Sequence, residues 1–515
     1  MDKFGEENDT NPEFCYKVGS IVEQGDKTTS ENMDEVSQRN LMNGKCIIVV
    51  GGGSYRLRNI WQDAAKYGIE VILVEADSQH IAKDHVPRFI HYDFSDHKID
   101  SVHAAEIVNL IHGQGIKADG CLSFWDECVP LAALINENLG TKGPSFRATM
   151  TANSKSRTLN VLSMRDADSS QWHRTDIYAT KAIHLTTEMD CDKLPDGFRF
   201  PAMLKLDNGA GSVGACVVEN DVELKKKFCQ ITSLLQNDTD FPGIGLTHGN
   251  SMMTMEFYGG TEHIVDVIIY DSKLIAAFIT DSGMVRRPYF IATARRMPSF
   301  LSEDTQARLI EAAYRCCLQI ENARLSALLD GLLLFLWCSY MNRFKHTFIY
   351  HIFTTSGLSD GTFNVEFKVT ENGPKLLEIN SRMGGYCLRD WLRKLYGIDI
   401  MLYSMMIAAG ISPFVRTPPV DKVLIGVMVI PSLHSKIFNE EPLRNLLYNM
   451  IEKEEIFFLQ FRKLSENLPT YDKPFGNIAV SGSTSQEAKL KLMEVCRVLD
   501  IDQPDYQVEQ LIHHF

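Results

Sequence analysis

The stretch GTFNVEFKVTENGPKLLEINSR, residues 361–382, decides how this chain is read. Two apolar and β-branched runs flank Asn372-Gly373, a strong short-range hairpin signal. Glu366 lies on the first strand and Glu378 on the second, so both carboxylates can face one side. Glu378, Asn380 and Arg382 alternate, which places them on one strand face while the strand lasts. Two carboxylates and an amide oxygen make a hard-oxygen site for Mg²⁺, which would also take nucleotide phosphates. Arg382 could then neutralise charge on a transferred phosphoryl group. A solvated strand face would also carry charges, but the apolar neighbours count against it.

Working toward the N-terminus, KLDNGAGSVG (205–214) is the second informative stretch. It has no G-K-[ST], and strands rather than a helix follow, so it is not a P-loop. A glycine hairpin after a strand lysine can fold over a triphosphate. Backbone N–H groups then bond phosphate oxygens while Lys205 supplies charge. Gly209, Gly211 and Gly214 permit the close approach. An ordinary glycine-rich hairpin is the alternative. Around it, FPAMLKL, GACVVEN, SMMTMEFY, EHIVDVIIY and KLIAAFIT read as strands. SEDTQARLIEAAYRCCLQI reads as a helix with an acidic first turn. TANSKSRTLNVLSM reads as a helix start, capped by Asn153 or Ser154.

Further upstream, KCIIVVGGG, the helical stretch from Arg58 to Tyr67 and GIEVILVEAD form a βαβ unit. A parallel sheet therefore begins here, and two more units extend it to about Leu139. Gly51-Gly52-Gly53 with Glu75 at the next strand end has the outline of a dinucleotide fingerprint. Arg56 stands where its third glycine should be. A structural turn and a substrate-side loop are the other readings.

Composition bounds the rest. The 515 residues carry 52 basic and 66 acidic side chains, a net charge of −14. That argues against general nucleic-acid binding, which needs a basic stripe. The 12 cysteines have no framework spacing, so reduced, mostly buried thiols are expected. The polar start has no apolar signal core, so a cytoplasmic protein is expected. Residues 321–356 are apolar and aromatic, unlike either flank. The run from Leu325 to Met341 contains Asp330 and falls below the ~20 apolar residues of a membrane span. An insertion into a finished domain is the simpler account, since removing it leaves a helix with Gly357 just past its end.

Taken in order, Lys155 in a helix start, KLDNGAGSVG, MEFYGGTEH and FNVEF…LLEINSRMGG resemble the ATP-grasp ligases over about residues 150–410. The resemblance implies an α/β fold, α+β in parts: an ATP-grasp fold preceded by a Rossmann-like parallel α/β domain. The expected organisation is a disordered acidic tail (1–43), a pre-ATP-grasp domain (44–150), the ATP-grasp domain (151–410, interrupted by 321–356) and a C-terminal α+β module (411–515). It implies ATP as cofactor, with Lys155 and Lys205 on its phosphates and Gly209, Gly211, Ser212 and Gly214 in the covering hairpin. Glu256 and Phe257 would form the hinge near adenine, and Glu262 would hold the ribose. Glu366, Glu378 and Asn380 would ligate Mg²⁺ or Mn²⁺, with Arg382 at an acyl phosphate. Arg389, oriented by Asp390, is the expected clamp for a substrate carboxylate, with a helix-surface ion pair as the alternative. Trp125, Asp126 and Glu127 line the substrate side or serve structure.

The implied activity is ATP-dependent ligation of a carboxylate to an amine, with small amino-acid substrates, no nucleic-acid partner and no membrane. A homo-oligomer is left open. Other amino-acid pairs and a non-catalytic nucleotide-binding relative are the alternatives. Leu206, Met255 and Ser381 depart from the family's usual proline, acidic residue and proline.

Overall fold

The computed structural model describes residues 35–53, 57–168, 178–209, 211–235, 250–286, 290–321, 357–462 and 474–515. Of the tail expected over 1–43, the described part is helical rather than disordered. Helix α1 (Glu35–Met42) precedes the first strand, and Gln38 exchanges hydrogen bonds with the backbone of Phe414 at 2.7 and 2.9 Å. Met42 is buried against the N-terminal domain, so this turn of chain has a core contact to hold it. Residues 1–34 lie outside the described residues.

Strands β1 (Cys46–Val50), β2 (Glu70–Glu75), β3 (Arg88–His91) and β4 (Gly120–Leu122) form a parallel sheet in the order β3-β2-β1-β4. CIIVV is buried at every position because helices cover both faces, which removes any need for alternation. Those helices are α2 (Arg58–Lys66), α3 (Asp100–Gly113) and α4 (Val129–Leu139). Helices α5 (Phe146–Ala152) and α6 (Lys155–Asp168) then lead into the middle of the molecule.

A small antiparallel sheet follows. It pairs β5 (Ile183–Leu185), β6 (Ala202–Leu206), β7 (Cys216–Val218) and β8 (Met252–Glu256) in the order β5-β8-β6-β7. Helix α7 (Asp221–Leu235) packs beneath it. The large sheet begins with β9 (Thr261–Tyr270) and β10 (Lys273–Ser282). After the short ribbon β11 (Val285–Arg286) and β12 (Ile291–Ala292), it continues with β13 (Ala294–Met297). Helix α8 (Glu303–Gln319), capped by Ser302, packs on β9 and β10. The hairpin β14 (Gly361–Thr370) and β15 (Gly373–Asn380) completes one edge. Burying Phe363 and Phe367 of β14 against α8 and β9 contributes about 2–3 kcal/mol each.

Helices α9 (Leu388–Tyr396) and α10 (Ile400–Ala408) dock this sheet onto the N-terminal domain. The C-terminal residues do not build a sheet of their own. Strands β16 (Val423–Val429), β17 (Phe457–Gln460) and β18 (Gly476–Gly482) extend the large sheet, giving eight strands in the order β15-β14-β9-β10-β13-β16-β18-β17.

The segment expected to be an insertion lies outside the described residues from 322 to 356. Its flanks meet at one point. Leu358 N–H bonds the Cys317 carbonyl at 2.9 Å, and Gly357 N–H bonds the Glu321 carboxylate at 3.1 Å. Gly357 has φ +87°, the left-handed conformation that ends helices. Among the described residues, no helix is long and apolar enough to cross a membrane.

Candidate active site

Between the N-terminal domain, the small sheet and the large sheet lies one cavity of 2780 Å³. Apart from Arg389 and Gly214, every site residue expected from the sequence lines it. The way the chain brings them together is local. Ser154 caps α6, receiving the Arg157 N–H at 3.3 Å, and donates to Asp207 at 2.6 Å. The other Asp207 oxygen accepts the Ser156 N–H at 2.7 Å. Asp207 follows β6, so this staple sets the helix residue Lys155 beside the strand residue Lys205. The sequence offered Asp207 only as part of the glycine hairpin.

Lys155 Nζ lies 3.1 Å from Glu378 and donates to the Gly209 carbonyl at 2.8 Å. Burial works against its charge, but Glu378 outweighs that and holds its pKa above the ordinary lysine value. Lys205 has no such partner among the described residues. Burial, reinforced by Lys155, lowers its pKa. Glu378 acts on it only at longer range, and among the described residues no carboxylate pairs with it directly, which leaves its ammonium for a phosphate. The hairpin above them carries Gly211, Ser212 and Gly214 at φ +64°, +61° and +69°. A Cβ on Gly211 would stand 3.3 Å from the Tyr386 hydroxyl, so the hairpin already reaches across the cavity.

Glu366 and Glu378 are direct cross-strand partners, as are Asn364 and Asn380. Desolvation and then Glu378 push the Glu366 carboxyl up. Glu378 goes the other way: desolvation is overcome by Lys155 and Lys205. Asn380 donates to Asn364 at 3.2 Å, and Asn364 donates to Asp266 at 2.8 Å. This relay commits the Asn380 amide nitrogen to the protein, leaving its carbonyl oxygen for the cavity. Asp266 is fully buried, and desolvation raises it to about 6. The sequence reading missed Asn364 and Asp266. Asn364 was visible as the residue two before Glu366 on the same face.

Arg382 donates to Asp126 of the N-terminal domain at 2.6 Å and to the Met383 carbonyl at 2.8 Å. Its buried Nε has no partner among the described residues. Arg295 on β13 was also missed. It lines the cavity with a buried Nη1 that has no partner among the described residues, and it lowers the Glu366 carboxyl. In the sequence it was one of two adjacent arginines on an ordinary strand.

At the expected hinge, Phe257 N–H bonds the Pro201 carbonyl at 3.1 Å, joining the end of β8 to the start of β6. Glu262 lies 3.5 Å from Lys368, whose Nζ stands 5.4 Å from the centre of the Phe257 ring. The Gly51–Gly53 turn lines the cavity, yet Glu75 accepts the N–H groups of Gly52, Ala76 and Asp77. That carboxylate is fully used in holding the turn. Arg56 lies outside the described residues.

Arg389 is a correction. It does not line the cavity. Its guanidinium makes three 2.7 Å bonds, two to Asp399 and one to Asp63, and is buried with both partners. Its Nε and Nη2 are held by these two carboxylates, in a buried ion-pair cluster away from the cavity. Asp399 and Asp63, rather than Asp390, orient it.

An ATP-grasp N-terminal domain model matches residues 61–141. Carnosine synthase 1 of Homo sapiens is 36% identical over 94% of this chain and 54% of its own length. That of Mus musculus is 35% identical over the same shares. The chain thus spans about half the length of the curated relatives it matches. Among solved structures, an L-amino acid ligase from Bacillus licheniformis superposes with a TM-score of 0.65 at 15% identity, covering 88% of this chain and 98% of that one. A biotin carboxylase in an ATP-analogue complex from Campylobacter jejuni gives 0.57 at 19% identity, covering 92% and 100%. The chain therefore has the ATP-grasp fold, headed by an ATP-grasp N-terminal domain, and along nearly all of its length it is similar to carnosine synthase.

Proposed function

We propose that this chain is an ATP-dependent ligase that joins β-alanine to L-histidine through an acyl phosphate, releasing ADP and phosphate. The observation that carries the reading is the patch of Glu366, Glu378, Asn364 and Asn380, set against Lys155, Lys205 and Arg382. The amino-acid pair rests on the similarity to carnosine synthase. The cavity exceeds the ~300–1000 Å³ of a single-ligand site, leaving room for a nucleotide and two amino acids.

The donor set suits a divalent ion. Two carboxylates face one another, Lys155 is committed to Glu378, and Glu366 carries no cation of its own among the described residues. Glu366, Glu378 and the Asn380 oxygen would hold Mg²⁺ or Mn²⁺, which when bound neutralises phosphate oxygens. Lys155 and Lys205 hold the phosphates in place. The hairpin with Gly209, Gly211, Ser212 and Gly214 closes over them and excludes water. Glu256 and Phe257 bind the adenine edge, and Glu262 bonds the ribose. Arg382, fixed by Asp126, stabilises charge on the phosphoryl group as it passes to the carboxylate. The work is positioning and charge neutralisation rather than covalent catalysis by the protein. A reducing, cytoplasmic setting fits the described cysteines, which are free thiols.

The test is a screen of amino-acid pairs for phosphate release, with mass detection of the dipeptide. The proposal expects β-alanyl-L-histidine as the leading product. A different dipeptide would keep the ligase and replace the substrates. Nucleotide binding without amino-acid-dependent ADP release would leave a binding protein.

A further inference from the structure

One wall of the cavity comes from the N-terminal domain, through the loop at Phe94–Ser101 and the turn at Trp125–Cys128. That turn is fixed at several points. Asp126 accepts Arg382 at 2.6 Å through its carboxylate and Asn153 at 2.8 Å through its carbonyl, and Ser123 Oγ accepts the Trp125 N–H at 3.0 Å. Glu127 follows on the same turn and lines the cavity, one residue from the partner of Arg382.

Most of the other cavity carboxylates are committed, Asp96 among them, which accepts the Lys98 N–H at 3.2 Å. Glu75 holds backbone N–H groups, Asp100 holds His97, Asp126 holds Arg382 and Asp207 holds α6. Glu188 faces Lys225, Glu262 faces Lys368, and Glu378 faces Lys155. Glu256 sits at the hinge and Glu366 in the metal patch. Glu127 has no lysine or arginine partner among the described residues. It bonds Trp125, and its charged neighbours are His97 and Asp126. His97 is in turn 3.0 Å from Asp100. Burial raises Glu127 to about 7, the range suited to accepting a proton at neutral pH.

Resting on the ligase reading above, we propose that Glu127 is the base that takes the proton from the ammonium group of the incoming amino acid. An ammonium has no lone pair and cannot attack. Its first proton passes to the Glu127 carboxylate, and the freed nitrogen pair forms the C–N bond at the acyl-phosphate carbon. The C–O bond to phosphate then breaks, phosphate leaves with that electron pair, and the second amine proton departs with it.

Hydroxylamine separates this role from general damage, because it is a neutral nucleophile at neutral pH and needs no base. Wild type and Glu127→Gln are compared at saturating ATP and Mg²⁺, with the amino-acid pair and then with hydroxylamine replacing the amine substrate. The proposal expects dipeptide turnover in Glu127→Gln to fall roughly 100-fold or more, with hydroxamate formation within about threefold of wild type. Glu127→Asp, which keeps a carboxylate, should lose less than Glu127→Gln. Equal losses with both nucleophiles would overturn the role, as would a raised KM for the amine with unchanged kcat. Wild type yielding neither product would instead overturn the ligase reading, and this inference with it.

Discussion

Arg382 and Arg389 stand seven residues apart, and both reach across to an aspartate of the N-terminal domain. Their surroundings make them different devices. Arg382 gives one bond to Asp126, keeps a buried N–H without a partner among the described residues and lines the cavity. Arg389 is buried away from the cavity and makes three bonds to Asp63 and Asp399, while Arg393 and Tyr67 add further 2.7 Å bonds to the same carboxylates. An arginine beside an aspartate is thus uninformative by itself. What separates function from architecture is the donor left over, and whether it faces a cavity.

The largest effect should come from the carboxylate that Arg382 and the two lysines surround. Glu378→Gln is expected to lower turnover by at least 10²–10³-fold at saturating Mg²⁺, with the fold intact. Near-normal turnover in a folded sample would remove Glu378 from the site. Arg382→Gln should follow, with kcat down roughly 10²-fold and the melting temperature little changed, because Asp126 remains partly solvated. A large loss of stability there would erase the contrast between the arginines.

Arg389→Met should do the opposite. It leaves the buried Asp63 and Asp399 with only the more exposed Arg393 and Lys66 as cations, costing about 3 kcal/mol of stability, while turnover per folded molecule stays near normal. Chemical denaturation with parallel assays checks both halves. Burial raises these two carboxyls, but Arg389 overrides it and holds both below the ordinary value. Their contribution is therefore present above the unfolded-state pKa and lost as pH falls through the folded one. The variant should lose less stability on acidification than wild type.

The smallest effect is expected where neither arginine is involved. Deleting 322–356 should leave the melting temperature and turnover close to wild type, since Glu321 and Gly357 already bond to one another. An insoluble or inactive deletion would make the segment part of the working fold.

Much of this was legible in the sequence. CIIVV and EVILVE announced a covered parallel sheet, because a fully apolar strand run has no solvent face to supply. KLDNGAGSVG announced a hairpin, because glycine spacing is a backbone property. Arg295, Asp266 and Asp207 were not legible. Their roles lie in contacts with residues distant in the chain, and an isolated charged residue in a strand or turn carries no mark of its partner. Arg389 failed for the same reason: its partner Asp63 is 326 positions away.

The carboxylate patch on β14 and β15 shows the division most sharply. Residue types, strand lengths and the turn at Asn372-Gly373 were all set by local sequence. Near the turn the pairing is regular, Thr370 with Gly373 and Phe367 with Leu376, and continued unbroken it would set Glu366 opposite Leu377. Glu378 would then point to the other face. Leu377 is instead an extra residue, a bulge, and from there on Glu366 meets Glu378 and Asn364 meets Asn380. Buried positions on β15 shift accordingly, from Pro374 and Leu376 to Ile379. A one-residue slip reverses every side chain beyond it, so the sequence supplied the two carboxylates and the turn between them. Only the packing of β14 between β15 and β9 decided that both carboxylates share one face.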